Sequence, residues 1–416
     1  VYYVEGISPR QNSDSATKIE KTSFRSYIGP ILFLAGIFFL NFLGRIILAP
    51  LLPTIEKDLS LGHSEAGSLF LLISLGYFIS LLGSGFVASR FMHRWTIIVS
   101  ATAIGLALLG ISSSDSLLGI SMGLVFLGLA AGLYLPSGIS TLTSLTSPSQ
   151  WGKALAIHEL APNLAFVAAP LLSEILLQWF SWRGILAVMG IASVGAGITF
   201  GRFGTGGRFP GDAPSVASFR TILVKPAFWV MTILFSLAIT GSLGVYAMLP
   251  LYLVTERSMD QYWANTLVAV SRVSGLGMAF LAGWATDRFG ARKIMAAVFL
   301  LTGTMTFLLG VTKGSWMVLI VFAQPMLAVC FFPAGFAALS CIGPSTSRNV
   351  AVSLTIPLAF LIGAGAIPAG IGVMGDTVSF AFGFSLVGVL IFMGFLLSLT
   401  LRLPQEYECP PTLSQE

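Results

Sequence analysis

The run Gly283-Trp284-Ala285-Thr286-Asp287-Arg288-Phe289-Gly290-Ala291-Arg292-Lys293 ends one long apolar segment and opens another. A weaker copy, Gly85-Phe86-Val87-Ala88-Ser89-Arg90-Phe91-Met92-His93-Arg94, lies 198 residues earlier in the same setting. Short basic loops of this kind gather on one face of a membrane. Their recurrence predicts a membrane chain built twice, with both copies on the same side of the bilayer. A second pair agrees: Leu135-Pro136-Ser137-Gly138 recurs as Phe332-Pro333-Ala334-Gly335 at an offset of 197.

Composition points the same way. Of the 416 residues, 9% are charged and 55% hydrophobic, with a mean hydropathy of +0.89. A water-soluble chain of this size needs far more charge on its surface. In hydrocarbon every backbone polar group must be satisfied internally, which leaves helices or a closed barrel. The apolar runs are long and continuous rather than alternating, so helices are expected. The 45 glycines and 20 prolines suit helices that pack closely and bend. Cys330, Cys341 and Cys409 are too few for a disulfide framework.

Twelve spans are expected, at 27–53, 64–90, 94–112, 117–146, 150–179, 182–203, 221–254, 260–287, 292–311, 315–342, 348–374 and 378–402. Each reaches the roughly 20 residues, or close to it, that crossing ~30 Å of hydrocarbon requires. The expected division is a tail at 1–26, a six-helix bundle at 27–203, a Gly/Pro/Ser-rich linker at 204–220, a second bundle at 221–403 and a tail at 404–416. The start is polar and carries Arg10, Lys18, Lys21 and Arg25 without a short apolar core, so it reads as a tail rather than a signal peptide. With the N-terminus inside, sixteen of the 22 Lys and Arg fall on the cytoplasmic side. Four (Lys57, Arg183, Arg257, Lys313) fall opposite, and Arg45 and Arg272 lie within spans. Both termini and the linker are therefore expected in the cytoplasm, with the chain in a bacterial inner membrane.

The two loops resemble the loop between helices two and three of the major facilitator superfamily, Gly-x-x-x-Asp-Arg-x-Gly-Arg-Arg/Lys. The resemblance implies an all-α membrane fold of twelve helices in two pseudo-symmetric six-helix bundles, each a nested inverted repeat. It also implies that Gly283, Asp287, Arg288, Gly290 and Arg292, with Gly85, Arg90 and Arg94 in the first half, form a conformational latch. The first copy has Ser89 for the acid and Met92 for the second glycine, so the latch is expected to be stronger in the second half. Trp182-Arg183 at the start of span six is also common in the family. The arginine that many proton-coupled members carry in span four is absent here, where the stretch reads Leu124-Val125-Phe126-Leu127-Gly128.

Ionisable residues inside a span are costly and usually face a cavity or a partner. Arg45 has Asn41 one turn before it and Pro53 eight residues after it. That spacing resembles the organophosphate–phosphate antiporters, which carry an anion-binding arginine there. Their second arginine belongs in span seven, where this chain has Thr240, Ser242 and Tyr246. Arg45 could instead snorkel or pair with Glu174. Arg272 sits mid-span, 15 residues or about 22 Å of helix before Asp287. It resembles the carboxylate-binding arginine of proton-coupled monocarboxylate transporters, and the central span-eight arginine of nitrate porters. The former often carry an acid one turn earlier, where Val268 stands, and the latter a further arginine in span two, where Ser74, Tyr77 and Ser80 stand.

Glu159 is the one acid clearly inside a span, preceded by His158 and followed by Asn163 one turn on. It could take up the coupling proton, with His158, or pair with Lys153 or Arg94. Tyr77, Tyr134, Tyr246 and Gln324 are candidate cavity residues. Two arginines against one acid give an interior that attracts anions. No metal constellation, nucleotide loop or nucleophile–base pair is present, so no cofactor, metal or nucleic-acid partner is expected.

The expectation is a monomeric, non-enzymatic secondary transporter in a lipid bilayer. It moves a small organic anion, a carboxylate, by alternating access coupled to protons. Arg272, Arg45, Asn41, Tyr134, Asn163, Tyr246 and Gln324 contact substrate, and Glu159 and His158 handle the proton. The alternatives are an exporter of hydrophobic compounds, an anion exchanger resembling the organophosphate–phosphate antiporters, and a transporter-like receptor, against which the short tails argue.

Overall fold

The computed structural model describes residues 24–211, 222–340, 342 and 348–401, and among these every regular element is helical. Arg10, Lys18, Lys21, Asp212, Arg220, Cys341, Arg402 and Cys409 lie outside the described residues. The membrane helices are α1 (Arg25–Leu59), α2 and α3 (63–91 and 93–112 of the continuous run His63–Ser112), α4 (Leu117–Leu145), α5 (Pro148–Leu177) and α6 (Trp182–Phe203). After the linker come α7 (Pro226–Thr255), α8 (Gln261–Phe289), α9 (Ala291–Val311), α10 (Trp316–Leu339), α11 (Ala351–Thr377) and α12 (Phe380–Thr400).

The 50-residue run His63–Ser112 counts as two spans. At 1.5 Å per residue it is about 75 Å long, far more than the ~30 Å of hydrocarbon. It breaks at Met92, whose φ of 61° and ψ of 152° are not helical. This is the first loop of the duplicated motif. The end of the bundle that carries it, with Arg288 in the second copy, is called the motif end here, and the opposite end the far end.

At the far end four helices, α4, α6, α8 and α12, start on short polar caps. Ser116, Ser181, Asp260 and Ser379 accept the backbone N–H of Gly119, Gly184, Trp263 and Phe382. Each satisfies one of the donors that a helix start leaves free. Asp58, at the end of α1, accepts from Trp182 Nε1 at 3.0 Å and Arg183 Nη1 at 2.5 Å. The Trp-Arg pair that opens α6 thus ties it to α1.

Small residues set the helix spacing within each bundle. A Cβ on Gly76, Gly128 or Gly132 would collide with the backbone of the facing helix, so α2 and α4 meet main chain to main chain. The pair α3 and α6 does the same through Gly105 and Gly190, and α9 and α12 through Gly303 and Gly388. Close backbone approach of this kind carries helix association where lipid tails remove the hydrophobic drive.

The two bundles join at the far end. Asp376 of α11 accepts from the backbone N–H of His63 at 2.9 Å and Ser64 at 2.8 Å, capping α2 from the other bundle. Gly67 lies against Pro368 O and Gly372 against His63 O. Asn265 of α8 donates to Pro50 O of α1 at 3.1 Å and to Glu174 of α5 at 2.5 Å, and Thr54 pairs with Gln261. The main apolar core runs through both bundles. A second core, around Ile31, Leu34, Phe38, Tyr134 and Phe200, belongs to the first bundle at its motif end. The far end is closed, and at the motif end the first bundle packs on itself.

Candidate functional site

Arg45 lies deep in α1 and is 8% exposed. Its guanidinium sits 4.3 Å from the Tyr77 ring, 4.8 Å from Phe42 and 5.6 Å from Phe360. Its Nε has no hydrogen-bond partner, and among the described residues no carboxylate pairs with it. Glu174, the acid that could have neutralised it, bonds Asn265 instead.

Arg45 lines a small cavity between the bundles, about 40 Å³ in volume. Phe42 and Ile46 of α1 and Phe70, Ile73, Ser74 and Tyr77 of α2 form one side; Leu243, Tyr246 and Ala247 of α7 and Phe360 and Ala364 of α11 form the other. Both helices of the second side are wound wider here. Thr240–Gly244 and Leu361–Ala366 are π-helical, with Val245 N–H bonding Thr240 O and Ile367 N–H bonding Ile362 O. Such turns concentrate at functional sites. Their glycines let them nest, since Gly244 lies on Gly363 O and Gly363 on Thr240 N, while Gly365 lies on Ser74 of α2.

Arg272 of α8 is half-buried beside this cavity, not on its wall. Its Nη2 donates to Ser242 O at 2.8 Å, a carbonyl of the α7 π turn. Its guanidinium stacks 4.4 Å from Phe166 and 4.9 Å from Tyr246. Ring contacts connect the two arginines, because Phe166 also meets Phe42 at 5.2 Å and Tyr246 at 4.9 Å. A span-eight arginine thus carries its charge to span seven, where the sequence has none.

Other candidates sit elsewhere. Asn41 donates to Ala131 O at 3.0 Å, tying α1 to α4. Gln324 donates to Gly241 O at 2.8 Å, tying α10 to α7. The two ties are related by the internal repeat with donor and acceptor exchanged. Both amides are spent on carbonyls, and neither lines the Arg45 cavity. Asn163 donates to Glu159 O at 2.9 Å along its own helix.

Tyr134 belongs to a buried stack with His158. Phe38 lies 4.5 Å from the His158 ring and Tyr134 5.9 Å, both nearly parallel to it. Tyr134 donates its hydroxyl proton to Leu34 O at 2.6 Å, so the same oxygen accepts from His158 Nε2 at 3.1 Å. Nε2 then carries a hydrogen. Nδ1 faces Glu159 Oε1 at 3.3 Å, and two lone pairs would oppose each other unless one proton lies between them. Glu159 is 52% exposed and meets neither Lys153 nor Arg94.

In the loops, Arg94 is buried and donates to the carbonyls of Phe200, Gly201 and Gly204, which finish α6. The adjoining linker pairs with the same loop through Arg94 N–H to Gly207 O at 2.8 Å and Gly211 N–H to Ala88 O at 2.9 Å. Gly85 and Gly283 are half-buried, Arg90, Asp287 and Arg288 exposed, and Arg292 half-buried. Asp287 has no hydrogen bond or ion pair with another described residue.

Sequence reasoning missed Phe42, Phe70, Phe166 and Phe360, which look like any lipid-facing phenylalanine in a chain with 32 of them. The nearest signal was the glycine spacing at 241/244 and 363/365, where the π turns form.

The profile of the family described as Major Facilitator Superfamily matches residues 34–284. The chain is 24% identical over 309 residues to the membrane sensor protein UhpC of Salmonella typhimurium, covering 68% of this chain and 69% of that one. It is 22% identical over 384 residues to the 4-hydroxybenzoate transporter PcaK of Pseudomonas aeruginosa, covering 77% and 85%. A solved bacterial homolog of the human lysosomal transporter Spinster, inward-facing and unoccupied, matches with a TM-score of 0.77 at 15% identity over 91% of this chain and 98% of that one, a likeness of fold. Since the family match runs from within α1 through the rest of the first bundle and on into α8, more than half of the chain, the chain belongs to the Major Facilitator Superfamily.

Proposed function

We propose that this protein is a proton-coupled secondary transporter of a small organic anion, a carboxylate, working by alternating access in a bacterial inner membrane. The observation that carries the reading is Arg45, a buried guanidinium without a carboxylate partner, on the wall of a cavity between the bundles. A buried charge of this kind is costly until an anion meets it, and the arginine fork fits a carboxylate. The relative named as a 4-hydroxybenzoate transporter supports a carboxylate substrate. The motif end is cytoplasmic on the charge bias, and the closed far end makes this an inward-facing form. Glu159 and His158 share the coupling proton. Arg272 holds the α7 π turn and Tyr246 in place and adds positive charge behind the rings.

Uptake of labelled organic acids into proteoliposomes under an imposed pH gradient tests this. A carboxylate should accumulate in the wild type, and Arg45→Ala should abolish both its binding and its uptake. Glu159→Gln should keep exchange of labelled for unlabelled anion and lose accumulation driven by the pH gradient. Wild-type transport by Arg45→Ala would sink the anion reading and favour export of hydrophobic compounds. Exchange that ignores the pH gradient would favour an anion antiporter. A second reading, sensing without flux, follows from the relative named as a membrane sensor; it requires calorimetric binding without uptake in the same preparation.

A further inference from the structure

We infer that the anion taken by the Arg45 cavity is an aromatic monocarboxylate bearing a ring hydroxyl, its carboxylate on Arg45 of the first bundle and its hydroxyl toward Tyr246 of the second. The inference rests on the reading of the chain as an organic-anion transporter and narrows it.

Five of the twelve residues lining the cavity are aromatic: Phe42, Phe70, Tyr77, Tyr246 and Phe360. Its polar side chains are Arg45, Ser74 and the two tyrosines. A hexose would bring a hydroxyl on nearly every carbon, and most would find only hydrocarbon, at a desolvation cost for each. A phosphate dianion asks for more than one cation, and only one guanidinium reaches the wall. Arg272 stands behind Phe166 and Tyr246. A monocarboxylate matches a single fork in charge and shape.

The rings also set how that fork is presented. Phe42, Tyr77 and Phe360 surround the Arg45 guanidinium at 4.8, 4.3 and 5.6 Å. The ring contacts leave the unpartnered Nε for a carboxylate, beside the side-chain hydrogen bond that Arg45 shares with Tyr77. Aromatic walls favour a flat ring, placed edge-on or offset, over a puckered ring of equal carbon number.

The second polar point is independent of the first. Tyr246 is 1% exposed and lines the cavity, and its hydroxyl has no partner. The α7 π turn just before it sets which way this stretch of α7 faces. A buried hydroxyl without a partner costs stability that a ligand's polar group restores. One ligand meeting both orphans would touch both bundles, which is what binding must do to favour closure of the motif end.

Calorimetric binding to the purified full chain tests this with benzoate, the hydroxybenzoates, cyclohexanecarboxylate, lactate and glucose 6-phosphate. Benzoate should bind about tenfold more tightly than cyclohexanecarboxylate, from two or so ring contacts. At least one hydroxybenzoate should exceed benzoate by about fivefold, from one gained hydrogen bond. Tyr246→Phe, which keeps the ring, should bring that hydroxybenzoate-to-benzoate ratio to about one. Cyclohexanecarboxylate binding as tightly as benzoate would overturn the inference while leaving organic-anion transport standing. Glucose 6-phosphate binding more tightly than every benzoate, or a hydroxyl preference that survives Tyr246→Phe, would do the same. If none of these anions binds the wild type, the inference and the anion reading fall together.

Discussion

Met92 and Gly290 occupy equivalent turns of the two halves and share one backbone conformation: φ 61°, ψ 152° at Met92 and φ 89°, ψ 145° at Gly290. Glycine enters that region freely, whereas a side chain is strained there. The duplicated loop keeps its geometry even where its glycine has been replaced. Hydrogen bonds across the first loop over-determine it, since Arg94 and His93 both donate backbone N–H groups to the linker.

Met92→Gly should therefore stabilise the protein. Relief of strain is worth about 1–3 kcal/mol, and the added freedom of the unfolded chain takes back ~0.4–1 kcal/mol. The expected net gain is about 1 kcal/mol, seen as a higher thermal midpoint in detergent. Gly290→Met should lower the midpoint. An unchanged or lower midpoint for Met92→Gly would show that the turn is not strained.

Asp287 is exposed and has no partner among the described residues in this form, in which the far end is closed. Its carboxylate is expected to act when the motif end closes, on a helix start or an arginine of a neighbouring span. Asp287→Asn should slow turnover and raise labelling of single cysteines at the motif end, with thermal stability unchanged. Ser89→Asn should do much less. Equal accessibility of both ends before and after Asp287→Asn would remove the latch from the mechanism.

Asp376 caps α2 across the far-end seam. Loss of a capping side chain costs about 1 kcal/mol, and here that cost falls on the closed far end alone. Asp376→Ala should shift the population toward the form open at the far end by about fivefold. A reporter cysteine at Thr54 should become correspondingly more reactive to an impermeant reagent. No change in its reactivity would mean that the seal is held elsewhere.

Arg272→Lys keeps a cation but loses the planar fork and the ring stacking. Transport should weaken, with a higher KM, because the α7 π turn and Tyr246 lose their support. Arg272→Ala should abolish transport in a protein that still inserts and folds. Wild-type KM in both variants would show that the π turn stands without Arg272.

Much was legible in the chain because it is local. Apolar length marks the spans, the loop at Gly283–Lys293 and its copy at 85–94 mark the duplication, and Arg45 and Arg272 stand out as charges in hydrocarbon. These are properties of short stretches, and the membrane makes them decisive, since any span must satisfy its backbone by itself. The direction and partner of each side chain were not local. Asn41 and Gln324 read as substrate ligands until packing spent their amides on Ala131 O and Gly241 O. Phe42 and Phe360 became cavity walls only because α1 and α11 face each other there. Arg272 reaches Ser242 O because α7 winds into a π turn where Gly244 meets Gly363, a contact between helices more than a hundred residues apart. Burial, spacing and charge were written in the sequence. Which of the buried groups remained unsatisfied, and so able to meet a ligand, was decided by the tertiary packing that satisfied the others.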